Sequence, residues 1–116
     1  MKKYIKKSNE KLNTIIEKIS KFAGMDKTIY FWGIGREFFL IYSMLEYKKN
    51  QNIKFIDSNK RKHKKKIGGM RIYDKTYLKK INQNNAVIVV TAVFHFSEIQ
   101  VYLKSINFTG DVVKIF

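Results

Sequence analysis

Hydrophobic positions along the chain change period several times, and each change marks an element. Over residues 8–24, Leu12, Ile15, Ile16, Ile19, Phe22 and Ala23 recur at the i, i+3, i+4, i+7 spacing of one helical face, and Gly24 stands where a C′ glycine ends a helix. Thr28–Trp32 is β-branched and aromatic without alternation, the pattern of a strand buried on both faces. Gly33-Ile34-Gly35 breaks it, and a helical pattern follows from Arg36 to Tyr47 with Phe38, Phe39, Ile41, Tyr42 and Leu45 on a broad apolar face, closed by Lys48, Lys49 and Asn50. Ile53–Ile56 predicts a second strand ending in Asp57. Met70–Tyr73, after the turn signal Gly68-Gly69, predicts a short third. Asp74 is an N-cap for a helix holding Tyr77, Leu78 and Ile81, which Asn82–Asn85 ends. Ala86–Thr91, apolar almost throughout, predicts the central strand. Ser97-Glu98-Ile99-Gln100 has the form of a capping box for a helix with Ile99, Leu103 and Ile106 inward, and Gly110-Asp111 turns into a last strand, Val112–Phe116.

Strands alternating with helices predict an α/β fold with right-handed crossovers. The expectation is a Rossmann-like three-layer sandwich with a parallel sheet of about five strands in the order 3-2-1-4-5 and an extra N-terminal helix over 8–24. Residues 1–7 are expected as a basic tail and 8–116 as one domain. The first helix precedes the first strand, so it packs on the sheet from outside any strand–helix–strand unit. In this order the ligand crevice falls at the carboxyl ends of strands one and four, where the winding reverses.

With 116 residues and 45% hydrophobic content, the chain is long enough for a buried core, and disorder is excluded for most of it. The absence of cysteine excludes a disulfide framework and Cys-based metal sites, and the two histidines, His63 and His95, show no metal-ligand spacing. The basic N-terminus has no apolar region behind it, so a secretory signal is not read and a cytoplasmic location is expected. The net charge of +15 points to polyanions or an anionic membrane surface. Arg36, Arg61 and Arg71 are the only arginines, however, and sequence-reading nucleic-acid proteins lean on arginine, so nucleic acid is the less favoured partner. Lys, Asn and Ile, all with A/T-rich codons, account for much of the bias. Lys60–Lys66 reads as a solvated edge, and His63 within it as solvated.

The candidate chemistry gathers around the glycine loop. Gly33 permits a tight turn and Gly35 a close backbone approach to phosphate, at the start of a helix whose N-terminus favours anions. Arg36, unfavourable beside a helix N-terminus by itself, is expected to face an anion there. Phe38 occupies the third position of the Gly-x-Gly-x-x-Gly spacing, where it holds helix and strand apart or fills the space between them. Asp57, 24 residues after Gly33, is near the spacing of an acid that bonds a ribose hydroxyl, with Ser58 and Asn59 as added polar contacts. The loop after strand four brings Thr91 and His95 to the same crevice, with Phe94 or Phe96 able to stack on a base. Ser97 reads as a helix cap. No Ser/His/Asp set, paired carboxylates or Walker-type lysine is present, and His95 lacks a visible orienting carboxylate.

Tyr30-Phe31-Trp32-Gly33-Ile34-Gly35-Arg36-Glu37, Phe55-Ile56-Asp57-Ser58-Asn59-Lys60, Lys66-Ile67-Gly68-Gly69-Met70-Arg71-Ile72-Tyr73 and Val87-Ile88-Val89-Val90-Thr91, in that order, resemble the small Rossmann-like modules of bacterial surface-polysaccharide biosynthesis. Those modules are attached to sugar acetyltransferases, undecaprenyl-phosphate sugar transferases, FkbM-type methyltransferases and sugar C-methyltransferases. The resemblance covers residues 28–116. It implies a nucleotide or nucleotide-sugar ligand, with Gly33, Gly35 and Arg36 at phosphate and Asp57 at ribose or base, and a glycosyltransferase or methyltransferase as partner protein. It lends no catalytic attachment, so the leading expectation is binding without catalysis. An NAD(P)-binding oxidoreductase-like subunit is one alternative. A basic protein of nucleic acid or of an anionic membrane surface is the other.

Overall fold

A computed structural model describes residues 13–22, 25–44, 53–67, 69–92 and 95–115. It is an α/β fold around a six-stranded, mostly parallel sheet. The strands are β1 (Thr28–Trp32), β2 (Ile53–Ile56), β3 (Lys66–Ile67), β4 (Met70–Tyr73), β5 (Ala86–Val90) and β6 (Asp111–Lys114), in the spatial order β3-β4-β2-β1-β5-β6. Strand number, and with it the full order, differs from expectation. Lys66–Ile67 adds a sixth strand, antiparallel to β4, at the sheet edge. Two residues lying between a lysine run and a Gly-Gly turn carry no alternation that could announce a strand.

β1 lies at the centre, parallel to β2 on one side and β5 on the other, with Phe31 opposite Phe55 and Val89. Its register separates two cores. Ile29 and Phe31 face one side with Val87 and Val89, while Tyr30 and Trp32 face the other with Ile88 and Val90. Both sets are buried, so the strands needed apolar residues at every position. The first side is covered by α1 (13–22), through Ile15 and Ile19, and by α2 (Arg36–Met44), through Phe38 and Ile41. The second is covered by α3 (Phe96–Ser105), through Ile99 and Leu103, and by Leu78. Phe38 fills the space between α2 and the sheet. It is fully buried, edge-on to Phe31 at 5.3 Å and Phe55 at 5.5 Å, and stacked on Tyr42 at 5.2 Å.

Three local expectations are corrected. The helix expected after Asp74 is a 3-10 segment, Lys75–Lys80. Asp74 still caps it by accepting from the Thr76 amide at 3.1 Å, and Gln83–Asn85 forms another such turn behind Asn82. Only twelve residues join β4 to β5, and the β-branched Thr76 and aromatic Tyr77 near their start favour the tighter turn over a full helix. The capping box at Ser97 is not used. The N-cap falls two residues earlier, at His95, which makes no side-chain bond, because the His95 amide turns back to the Ala92 carbonyl at 3.2 Å. The last strand, expected over Val112–Phe116, runs Asp111–Lys114, one residue earlier at its start and ending before Ile115, and Phe116 lies outside the described residues. The far end of α3 closes on Asn107 in the left-handed region (φ 53°), with Phe108 N–H donating to Leu103 O and Asn107 N–H to Lys104 O. The basic tail 1–7, Gly24 and the Lys48–Asn50 helix end lie outside the described residues. No helix among the described residues is long and apolar enough to cross a membrane.

Candidate functional site

The carboxyl ends of β1, β2 and β5 meet at a cavity of about 540 Å³. Its floor begins with the glycine loop. Gly33 has φ +105°, and a Cβ there would sit 2.7 Å from both Cβ and N of Ala92, so the loop crosses the segment after β5 at near contact. Thr91 holds the crossing. Its amide and hydroxyl reach the Trp32 carbonyl at 3.0 and 2.9 Å, and the same hydroxyl touches the Gly33 carbonyl. At 1% exposure, Thr91 is a clamp between β1 and β5.

The segment after β2 folds back onto the loop. Asp57 Oδ2 accepts from the Ile34 amide at 2.9 Å and Oδ1 from the Asn59 amide at 2.8 Å. Asn59 in turn caps the 3-10 segment Lys60–Lys64 by accepting from the Arg61 amide at 3.0 Å. That turn sends Lys62 inward, its Nζ donating to the Ile34 carbonyl at 2.7 Å. The His63 Nε2 lies 2.6 Å from the Asp57 carbonyl. The Ile34 peptide is thus held at both its N–H and its C=O. His63 is half-buried, which corrects its reading as solvated, and Lys62 is a cavity residue within a run read as a solvated edge.

All three loop amides have internal partners: Gly33 N–H donates to Ile56 O (2.9 Å), Ile34 N–H to Asp57, and Gly35 N–H to Gly33 O (3.1 Å). A cradle built from these amides, as the glycine spacing implies, is therefore already occupied by the protein's own acceptors. Gly35 is left open. No heavy atom lies within 4 Å of where its Cβ would be, and its carbonyl accepts the first helical bond of α2 from Phe39 at 3.1 Å.

Of the residues singled out in the sequence, Gly33, Gly35, Asp57, Ser58, Asn59, Thr91 and His95 all line this cavity, and Arg36, exposed on α2, does not. Four side chains that sequence reasoning passed over line it as well: Lys62, Lys75, Glu98 and Tyr102. His95, Glu98, Ile99 and Tyr102 fall at i, i+3, i+4 and i+7, the one available signal that a single face of α3 looks into the crevice. His95 Nδ1 lies 3.6 Å from Glu98 Oε2, so a carboxylate does stand beside this imidazole, with both side chains mostly in solvent (66% and 81% exposed). Tyr102 packs edge-on to Trp32 at 5.9 Å and donates to the Lys75 carbonyl at 3.3 Å, while the Lys75 ammonium sits 4.8 Å over its ring. Burial, with the nearby Asp74 charge, pushes the Tyr102 phenol above its ordinary value. Partial burial raises the Asp74 carboxyl, but the Thr76 hydrogen bonds and the charge of His63 outweigh it and hold the group below its ordinary value.

The cavity therefore offers two ammonium groups, two carboxylates, one imidazole, two aromatic side chains (Trp32 and Tyr102) and the polar ends of Ser58 and Asn59. Among the described residues no three His, Cys, Asp or Glu side chains gather to hold a metal ion. In comparisons with protein-family models, curated proteins and solved structures, the chain matches none of them.

Proposed function

We propose that this cavity, on a Rossmann-like frame, binds a nucleotide or nucleotide-sugar without transforming it, in the assembly of a bacterial surface polysaccharide. The observation that carries the reading is the open side of Gly35 facing a cavity at the carboxyl ends of β1 and β5. The volume of about 540 Å³ lies within the range of small-molecule sites. Because the loop amides are taken, phosphate recognition falls to the Lys62 and Lys75 ammonium groups. Glu98, Ser58 and Asn59 accept from or donate to hydroxyls. Asp57, expected at ribose, has both carboxylate oxygens on backbone amides and acts first as the brace of the loop. The polysaccharide setting rests on the resemblance of the ordered motifs alone.

Two features count against a dinucleotide: the internally paired loop amides, and Phe38 filling the gap that a third glycine would leave. Titration calorimetry with UDP-, GDP- and CMP-sugars tests the reading. Binding that is weakened by Lys62→Met and by Gly35→Val supports it. Absence of heat at millimolar concentration, or Gly35→Val behaving as wild type, refutes it. NADH raising the melting temperature where UDP-sugars do not would move the assignment to a dinucleotide.

A further inference from the structure

From Ser58 to Tyr73 the chain carries seven Lys and Arg and no Asp or Glu. The fold brings these together at one edge of the sheet. The Lys60–Lys64 turn packs on β4 and leads into β3, which pairs antiparallel with β4. Lys60, Arg61, Lys64, Lys65, Lys66 and Arg71 are all exposed, and among the described residues none of the six has an acidic partner. Lys62 and His63, from the same turn, point the other way, to Ile34 and Asp57, so the cationic face and the cavity wall are opposite sides of one turn.

The β3–β4 ribbon is itself two-faced. Lys66 stands opposite Arg71 on one face and Ile67 opposite Met70 on the other, where Ile67 packs against the core and Met70 stays exposed at the turn. Met70, 37% exposed beside the Gly69 turn, is a large apolar side chain at the tip of a ribbon ringed by cations. Arg71 lies 5.2 Å over the Tyr73 ring, with Lys54 5.6 Å from the same ring.

We propose that this edge is a docking surface for an anionic phospholipid bilayer, with the six cations in the headgroup layer and Met70 entering the acyl boundary. Four of the six are lysines, point charges suited to a diffuse anionic surface, where bidentate readout of phosphate or bases would favour arginine. An apolar tip gains free energy in the acyl boundary and gains nothing against a sugar-phosphate backbone. Tyr73, the aromatic nearest the patch, is half-buried and already covered by two cations, which removes the stacking platform that a single-stranded nucleic acid uses.

Sedimentation of the full chain with vesicles of phosphatidylglycerol, against vesicles of phosphatidylcholine, tests the proposal. Binding is expected to rise with phosphatidylglycerol content and to collapse as salt shortens the screening length from about 10 Å to about 3 Å. Replacing Lys64, Lys65 and Lys66 together by Gln is expected to weaken it roughly a hundredfold. Met70→Ser is expected to weaken it roughly fivefold and leave the salt dependence unchanged. All these side chains are exposed, so unchanged thermal melts accompany the losses. Equal sedimentation with both lipids, a triple variant that sediments like wild type, or retention of a single-stranded oligonucleotide while phosphatidylglycerol vesicles leave the protein in the supernatant would each overturn the proposal. Nucleotide titration reads a different site, so either reading can fail alone.

Discussion

Replacing Gly33 by Ala should damage the fold, and the same change two residues on should not. At Gly33 two costs add. An L-residue held at φ +105° is outside its populated regions, at about 1–3 kcal/mol. The new methyl would also lie 2.7 Å from the Ala92 amide nitrogen and Cβ, and relieving an overlap of that kind costs about 1–3 kcal/mol more. The lower entropy of the unfolded alanine chain returns about 0.4–1 kcal/mol. The net loss is roughly 2–5 kcal/mol, a drop in melting temperature of roughly 10–20 °C for a domain of this size. At Gly35 φ is not positive and the added methyl meets nothing, so the loss of a good N-cap residue and the entropic gain nearly cancel, to within about 1 kcal/mol. Trp32, the single tryptophan, is 3% exposed and adjacent to Gly33, so urea unfolding followed by its fluorescence reads the loop directly. A Gly33→Ala variant within half a kcal/mol of wild type, or a Gly35→Ala variant as unstable as Gly33→Ala, would refute the assignment of closure to the first glycine and access to the second.

Thr91→Val removes the hydroxyl that spans the Trp32 and Gly33 carbonyls and should cost about 1–3 kcal/mol in the same urea assay. Asp57→Asn keeps one acceptor oxygen where two amides need one each, and should cost about 1–3 kcal/mol while loosening the loop, visible as faster exchange of the Ile34 or Asn59 amide proton. Tyr30 is neutral in both states below pH 10. Burial, with Tyr77 and Tyr73 close by, raises its folded pKa to about 12, so the unfolded chain ionises first and stability falls between pH 10 and 12 by up to roughly 3 kcal/mol. Melts across that window should flatten in Tyr30→Phe. Asn107→Gly, placing glycine at a left-handed helix cap, should raise stability by about 0.5–1 kcal/mol in thermal melts.

The strands β1, β2 and β5 are legible because a parallel strand covered on both faces must be apolar at nearly every position, whereas β4, with Met70 and Arg71 exposed, is legible from the Gly68-Gly69 turn signal before it. Most cavity residues were legible for a topological reason: a glycine turn after one strand and polar residues after two others converge wherever the strands are parallel neighbours. What stayed hidden depended on backbone direction over a few residues. Lys62 is one lysine among many until Asn59 caps a 3-10 turn that swings it inward, and the partners of the loop amides are fixed by the return of Asp57, which spacing alone cannot distinguish from a ribose contact. The two-residue β3 carries no pattern, and the start of α3 follows from the turn at Ala92, against the capping preference of Ser97.

The central place of β1 has a kinetic consequence. One of its neighbours is β2, next along the chain, but the other is β5, with Thr28 beside Ala86 and Thr91 clamped to Trp32 across 59 positions. Closing so long a loop before any cross-strand contact rewards it makes the search for the native state slow, of the order of milliseconds to seconds. Until β5 arrives, the apolar edge of β1 stands open to any passing strand. Stopped-flow refolding followed by Trp32 should therefore show a rate sensitive to substitutions in β5, and a ribosome-bound chain lacking residues 86–91 should be far more prone to association than the finished domain.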